Sequence, residues 1–368
     1  MNTRVRPIAV IVKAVCLFIV INLVYGLMEP PIAEISAYNV FVPGLERTPF
    51  GNKDDPYTVV IDNADAMFAS HEISAEKQPD EIRVALIGDS SIWGESLSLE
   101  NTLSGKWNQL GSQCGGKKIK VYNLGYPHPS IIKDLIFFDE VKSRQPDVII
   151  WFVTLNTLMN QYRLHPFLAG NHERVLKIVE KYNISFGPRK ALSEQKTGFY
   201  EKTLVGQRSL LARLIKLQTL SLIWSATGVD IHAEPAITKM LAPDVDKDTT
   251  YRAIEPGSDL RESLLLDAID AGFDIAGETP ILLVNEPIFI ANGLHSDVRY
   301  NDFYPRWAYD QYRDLLLKQT QKFPFNYLDM WNTIPLENFI DTPLHLNAEG
   351  ERLLAERINP TLLSMVCP

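Results

Sequence analysis

The sequence predicts an α/β protein in which a five-stranded parallel sheet lies between two layers of helices, with a largely helical insertion and an N-terminal transmembrane helix. Two observations indicate the sandwich: short apolar runs rich in β-branched residues recur along the chain, and helix-period stretches separate most of them. Strands that alternate with helices pair in parallel, and the helices then cover both faces of the sheet. A third observation, a long apolar stretch near residue 1, predicts the membrane helix.

The predicted strands cover residues 83–88, 119–124, 147–153, 280–285 and 325–329. The predicted helices between or after them cover 99–112, 130–144 and 303–321. Ligands of open parallel sheets bind beyond the carboxyl ends of the strands. The residues that follow each strand are therefore the first candidates for a functional site.

Those positions carry residues suited to acyl transfer. In chain order they are Ser90, Gly125, Asn156, Glu286 and, after a loop beyond the fifth strand, Asp341 and His345. A serine hydroxyl becomes a nucleophile when an imidazole takes its proton and a carboxylate orients the imidazole. Acyl transfer also builds negative charge on a carbonyl oxygen, which a closely approaching glycine N–H and an uncharged asparagine amide can stabilise.

Four separated blocks of this chain resemble the SGNH (GDSL-type) hydrolase superfamily, which is named for its serine, glycine, asparagine and histidine. The blocks are Gly88-Asp89-Ser90, Gly125, Asn156, and Asp341 with His345, and the resemblance covers residues 82–156 and 280–358. It implies a flavodoxin-like sheet, and it implies Ser90 as the nucleophile. It further implies an oxyanion hole formed by the backbone N–H groups of Ser90 and Gly125 and the side chain of Asn156, with His345 as general base and Asp341 as its orienting acid.

The chain departs from the family pattern at two positions. The third block usually reads Gly-x-Asn-Asp, whereas this chain has Thr154 two residues before Asn156 and Thr157 after it. The family acid usually stands three residues before the histidine, a position that is Thr342 here. Asp341 is one residue further away, and Asp329 at the end of the fifth strand is the alternative acid.

Each residue taken alone also has a structural interpretation. Ser90 could cap the helix that follows it, because serine is a favoured N-cap. Gly125 could be a turn glycine and Asn156 part of an Asx-turn, while Asp341 could be a solvated loop charge. Only the shared position of these residues at one edge of the sheet favours catalysis.

Several further residues are possible substrate contacts. His128 lies on the same rim as Gly125, Glu286 follows the fourth strand, and an aromatic and arginine-rich segment after it includes Tyr300 and Trp307, whose rings and donors suit a sugar. The alternatives are a loop histidine, a structural carboxylate and an aromatic helix packed on the sheet. The sequence has no HExxH, CxxC or carboxylate cluster, so we predict neither a metal nor a cofactor.

The N-terminus predicts a single-pass membrane anchor. Residues 8–28 are apolar except for Lys13 and Asn22, and 21 helical residues span about 31 Å. Arg4 and Arg6 precede the stretch, so the positive-inside tendency places residue 1 in the cytoplasm and the rest of the chain outside. A cleaved signal peptide is the alternative, because residues 32–37 loosely resemble a cleavage site.

We divide the chain into an anchor at 1–30, a linker or lead-in at 31–80 and a catalytic domain at 81–368 with an insertion at about 157–279. Helix-period patterns in the insertion cover 171–182 and 203–226. The apolar stripe at 203–226 packs against the domain, or else forms a lid or a membrane contact. Cys114 and Cys367 could pair if the compartment is oxidising. The formal net charge of −9 makes nucleic acid a poor partner.

The sequence thus predicts an ester hydrolase that acts on O-acyl groups, with short acyl chains and a carbohydrate acceptor as the expected substrate class. By analogy with anchored domains of this type, the alternative is an O-acyltransferase that modifies a cell-envelope or exported polysaccharide, beside a membrane-bound acyl donor protein. A third alternative is a surface binding protein that keeps the scaffold without catalysis.

Overall fold

The computed structural model describes residues 6–51, 59–160, 163–194, 198–227, 241–322 and 326–367. Its strands are β1 (Glu81–Gly88), β2 (Gln113–Cys114), β3 (Lys117–Gly125), β4 (Val148–Val153), β5 (Ile281–Asn285) and β6 (Asn326–Asp329). They form one sheet in the order β2-β3-β1-β4-β5-β6. The predicted strands all exist, although Phe325 of the predicted fifth strand lies outside the described residues.

The predicted fold class is confirmed, with a correction to the strand count. Five strands are parallel, and their order along the sheet is the flavodoxin-like one. The sixth, β2, pairs antiparallel with β3 at the edge. Gly115 and Gly116 have positive φ angles of 57° and 81° and form the turn between the two strands. A strand of two residues has no apolar periodicity, so the sequence pattern missed it.

The described part of the chain has fourteen α-helices, and some of them cover the two faces of the sheet. They are α1 (Pro7–Met28), α2 (Ala64–Ser70), α3 (Ser90–Trp93), α4 (Leu103–Gln109), α5 (Ile131–Lys142), α6 (Leu155–Leu158), α7 (Pro166–Gly170), α8 (His172–Lys181), α9 (Arg189–Glu194), α10 (Phe199–Lys202), α11 (Arg208–Thr227), α12 (Asp267–Ala276), α13 (Arg306–Thr320) and α14 (Ala348–Val366). Apolar side chains of α5, α12 and α13 share one core with the sheet. Those of α3, α4 and α14 form the core on the other face.

Burial on both faces explains why the central strands read as continuous apolar runs. Every residue of β1 and β4 is buried. Parallel strands covered by helices on both sides need apolar residues at every position rather than at alternate ones. The rigid centre of the sheet then fixes where the chain leaves β1 and β4, which are the strands that precede Ser90 and Asn156.

Described residues of the predicted lead-in pack on the core of the domain, and the division of the chain at residue 80 stays a prediction. Met67 and Phe68 of α2 are fully buried in the same core as α5. His71 is also fully buried, and its Nε2 lies 2.8 Å from the backbone oxygen of Asn123 in β3. Burial lowers the pKa of His71 to about 4, so the imidazole stays neutral there.

The insertion between β4 and β5 contains α6 to α12, and its two predicted helical patterns correspond to α8 and α11. Leu214 and Leu217 of α11 are buried against the domain, whereas Ile215 and Leu222 are exposed. The stripe predicted at 203–226 therefore packs against the domain on one side of α11. The side chain of Trp224, also assigned to that stripe, lies outside the described residues.

A disulfide joins Cys114 of β2 to Cys367, which follows α14. The two Cα atoms are 5.7 Å apart, within the range that a disulfide spans. The structure thus brings together the two cysteines whose pairing the sequence left open.

Candidate active site

Ser90 stands at the first position of α3, at the carboxyl end of β1. The Oδ1 atom of Asp89 accepts the backbone N–H of Ser91 at 3.0 Å, so Asp89 is the N-cap of α3. Gly94, with φ of 78°, ends the helix after four residues. The N-cap interpretation of Ser90 is therefore wrong, and its hydroxyl is left for another partner.

That partner is His345. Ser90 Oγ lies 2.8 Å from His345 Nε2, although 255 residues separate the two along the chain. His345 Nδ1 lies 2.9 Å from Asp341 Oδ1. A hydroxyl, an imidazole and a carboxylate are thus linked in the order that general-base activation of a serine requires.

The loop after β6 explains how an acid four residues before the histidine reaches it. Thr342, which occupies the usual family position of the acid, instead accepts the backbone N–H of His345 with its Oγ1 at 3.2 Å. This turn brings the Asp341 carboxylate alongside the imidazole. Asp329, the alternative acid, is engaged elsewhere: it accepts from Arg313 Nε at 3.1 Å and from Asn285 Nδ2 at 2.8 Å.

The charges around His345 favour its protonated form. Burial alone lowers the pKa of His345, but the hydrogen bond and charge of Asp341, with a smaller contribution from Glu95, outweigh burial and raise it above its usual range. Glu95 Oε2 lies 3.8 Å from Nε2. The pKa of Asp341 is lowered, mainly because it accepts the hydrogen bond from His345.

A pH dependence follows from this raised pKa. His345 accepts a proton only when neutral, so kcat/KM for an ester substrate should fall as pH drops through a pKa above about 6.5. Glu95→Gln removes one charge that stabilises the imidazolium and should move this acid limb to lower pH while leaving the plateau intact. The measurement is kcat/KM between about pH 5 and pH 8. The control variant is Glu278→Gln. Glu278 is exposed and precedes the amino end of β5, away from His345, so its substitution should leave the acid limb of the pH profile unchanged. An unshifted limb in Glu95→Gln would contradict the assignment.

Asn156 belongs to α6, directly after β4. Thr154 is the N-cap of this helix, and Thr154 and Thr157 each accept the other's backbone N–H with a side-chain oxygen. The threonine found where the family has aspartate thus completes a capping box. It fixes the first turn of α6, and with it the position of Asn156.

Gly125 ends β3 and pairs with Gly88 of β1. A Cβ atom at Gly125 would lie 2.2 Å from the backbone nitrogen of Trp93, so the close approach of α3 requires glycine here. The N–H of Gly125 donates to Asn123 Oδ1 at 3.0 Å. The predicted role of Gly125 in an oxyanion hole stays a prediction, since a substrate oxygen would have to replace Asn123 as the acceptor.

Glu286 lies behind the nucleophile and not in contact with solvent. It is 2% exposed, which agrees with the alternative interpretation as a structural carboxylate, and a substrate contact by Glu286 stays a prediction. Ser91 Oγ lies 2.6 Å from Glu286 Oε2 and 3.1 Å from Asp89 Oδ1. Burial, with the nearby Asp89 charge, raises the pKa of Glu286 well above its usual range. The Ser91 hydroxyl has one proton, so it can donate to only one of these two carboxyl groups. A protonated Glu286 can donate to Ser91 Oγ, which leaves the Ser91 proton for Asp89.

The other predicted substrate contacts have partners within the protein. Tyr300 is 5% exposed and donates its hydroxyl to Asp310, and a substrate contact by Tyr300 stays a prediction. Trp307 donates its indole N–H to the backbone oxygen of Thr249 at 2.6 Å. These bonds agree with the alternative account of an aromatic helix packed on the sheet, and a substrate contact by Trp307 stays a prediction.

His128 stacks on the ring of His165, with ring centroids 3.7 Å apart. Burial and the neighbouring His165 and Lys133 lower the pKa of His128 to about 2, so its imidazole is neutral. A substrate contact by His128 stays a prediction. Within the ranges of the chain that the structure describes, no group of three potential ligands is placed to hold a metal ion.

No protein-family model and no curated protein matches the chain. Solved structures do match. A lipolytic G-D-S-L family member from Veillonella parvula DSM 2008 has 9% identity and a TM-score of 0.37, with 76% of this chain and 96% of that chain covered. A carbohydrate acetylesterase family member from Sinorhizobium meliloti has 13% identity and a TM-score of 0.34, with 77% and 98% covered. The M. smegmatis aryl esterase has 12% identity and a TM-score of 0.35, with 77% and 99% covered.

The G-D-S-L description of one of these structures names the family that the sequence blocks resemble. Sequence reasoning did not single out three residues around the site: Glu95 beside His345, and Tyr251 and Arg252 beside Asn156. Tyr251 and Arg252 come from the irregular part of the insertion, where no periodic pattern marks a residue as functional.

Proposed function

We propose that the protein is a serine-dependent ester hydrolase that acts on O-acyl groups through an acyl-enzyme. One observation supports this above all others: Ser90 Oγ lies 2.8 Å from His345 Nε2, and His345 Nδ1 lies 2.9 Å from Asp341. The three residues lie at the carboxyl edge of the sheet, where ligands of this fold bind.

The proposed reaction has two halves. His345 Nε2 takes the Ser90 proton as Oγ attacks the acyl carbon, and Asp341 stabilises the imidazolium that forms. The negative charge on the carbonyl oxygen is stabilised by donors, for which the Ser90 N–H and the Asn156 amide are the candidates. His345 then protonates the departing alcohol. In the second half, His345 activates a water that releases the acid and restores Ser90.

The substrate class is proposed from the rim of the site. Glu95, whose side chain is 48% exposed, provides a polar group beside His345, and the exposed Arg252 provides one beside Asn156. Polar groups suit a hydrophilic alcohol such as a sugar hydroxyl better than a long apolar chain. We therefore propose short-chain acyl esters of a carbohydrate as substrates.

The test uses the purified full chain in detergent with p-nitrophenyl acetate, butyrate and octanoate. We expect saturable turnover that is fastest with acetate and depends on Ser90. An acetylated oligosaccharide then replaces the chromogenic ester, and released acetate is compared with acetate transferred to a second oligosaccharide. Transfer in excess of release would support the acyltransferase alternative. If acetate were neither released nor transferred, the result would support the alternative of a non-catalytic binding protein.

We also propose that the protein is anchored by one membrane pass with the catalytic domain outside the cytoplasm. Helix α1 is long and apolar enough to cross a membrane, with a mean hydropathy of 2.6. Asn22, a polar residue within it, accepts the backbone N–H of Val205 at 3.1 Å, and Tyr25 donates to Gln207 at 2.9 Å. These contacts with the insertion support a retained helix, because cleavage of a signal peptide would remove the hydrogen-bond partners of Val205 and Gln207. Arg4, used for the orientation, lies outside the described residues.

The retained anchor makes a cellular prediction. When the full chain is expressed with alkaline phosphatase fused after Pro368, we expect phosphatase activity outside the cytoplasm and fusion protein in the membrane pellet after carbonate extraction. Intact-mass analysis should show that residues 1–30 remain attached. A soluble, shortened product would support the signal-peptide alternative, and an inactive fusion would reverse the proposed orientation.

A further inference from the structure

A tight turn in the insertion contacts Asn156, the predicted side-chain donor of the oxyanion hole. Tyr251 N donates to Ile254 O at 2.9 Å, and Ile254 N donates back to Tyr251 O at 2.8 Å. Between them, Arg252 and Ala253 both have positive φ angles, of 49° and 65°. Two successive positive φ values favour asparagine and glycine, and residues with other side chains are disfavoured there. Unfavourable backbone conformations of this kind concentrate at functional sites.

The turn donates two hydrogen bonds to the side-chain oxygen of Asn156. The Tyr251 hydroxyl donates to Asn156 Oδ1 at 2.7 Å, and Arg252 Nη2 donates to the same oxygen at 3.1 Å. Arginine has donors only, so the amide atom that faces it must be oxygen. The orientation of the Asn156 amide is therefore fixed by chemistry, and Nδ2 points away from the turn. Among the residues that the structure describes, none accepts a hydrogen bond from Nδ2.

We propose that Tyr251 and Arg252 are positioning residues for the esterase reaction, which hold the Asn156 amide so that its two Nδ2 protons face the developing oxyanion. This inference rests on the proposed function. Neither residue touches the reacting atoms, and both act through Asn156. An asparagine without these donors would sample other rotamers and both amide orientations, and a donor that must reorganise during the reaction stabilises the transition state less.

The surroundings of the two residues suit this role. Tyr251 is buried, and burial raises the pKa of its hydroxyl well above the usual range, so it remains a donor throughout the working pH range. Arg252 is exposed and carries a permanent charge close to the amide oxygen. A cation hydrogen-bonded to the oxygen polarises the amide and strengthens its N–H donors. The insertion between β4 and β5 thus supplies part of the active site.

The first experiment separates positioning from stability. Asparagine adopts positive φ more readily than arginine, so Arg252→Asn should unfold at the same temperature as the wild type or at a higher one. Its kcat for p-nitrophenyl acetate should nevertheless fall roughly 10-fold, with KM changed less than about 2-fold, because only transition-state stabilisation is lost. Tyr251→Phe removes the other donor to Asn156 Oδ1 and should lower kcat by a similar factor. Arg261→Asn, an exposed arginine on the same connection, is the matched control and should keep full activity.

The second experiment is a double-mutant cycle. Asn156→Ala alone should lower kcat about 100-fold or more. Adding Arg252→Asn to Asn156→Ala should change kcat less than about 2-fold, since the group that Arg252 holds is gone. An equal loss in both backgrounds, or no loss in the wild-type background, would overturn the positioning role. If turnover does not depend on Ser90 at all, the proposed function fails instead, so the two failures are distinguishable.

Discussion

Ser90→Ala is expected to lower kcat for p-nitrophenyl acetate by at least about 10⁴-fold, because no other hydroxyl of the described residues is hydrogen-bonded to His345 Nε2. The fold should be unaffected, since the cap of α3 is Asp89 and not Ser90. Circular dichroism and the thermal unfolding temperature should therefore match the wild type. The measurement is kcat and KM on the purified full chain.

Ser98→Ala is the matched control for Ser90→Ala. Ser98 lies on the same connection between β1 and β3, and its hydroxyl donates to Glu100 instead of to the catalytic histidine. We expect wild-type activity from this variant. If Ser90→Ala kept more than about one hundredth of the wild-type kcat, an acyl-enzyme on Ser90 would be excluded as the main route.

Asp341→Asn is expected to lower kcat on the order of 10³-fold to 10⁴-fold. In the wild type, Asp341 accepts the Nδ1 proton of His345 and leaves Nε2 free to accept from Ser90. An asparagine at this position can donate its amide to Nδ1, which stabilises the tautomer that carries its proton on Nε2. That tautomer cannot take the Ser90 proton, although the shape of the site is preserved.

Asp329→Asn tests the alternative acid under the same conditions. Asp329 forms an ion pair with Arg313 and accepts from Asn285, so its substitution should lower stability while kcat stays near the wild-type value. The opposite pattern, with full activity in Asp341→Asn and a large kcat loss in a folded Asp329→Asn, would transfer the orienting role to Asp329.

The sequence was sufficient for the five parallel strands and for the approach of Ser90 to His345. The apolar runs that became β1 and β4 are buried on both faces, and continuous burial leaves a pattern that can be read without a structure. Parallel pairing then places every strand end at one edge, which is why Ser90 and His345 could be predicted to meet despite their separation along the chain.

Other features depend on contacts between distant segments and leave no local pattern. Glu286 follows a strand in the same way as a catalytic residue would, and only its burial behind Ser91 distinguishes the two cases. Tyr251 and Arg252 lie in a loop without periodicity, so nothing in the sequence connects them with Asn156.

Covalent labelling of Ser90 tests the central claim most directly. The full chain is incubated with a fluorophosphonate, digested and mapped by mass spectrometry, in parallel with His345→Ala. A single adduct on Ser90, formed far more slowly in His345→Ala, is the predicted result. No adduct, an adduct on another residue, or labelling of Ser90 at the same rate without the imidazole would contradict it.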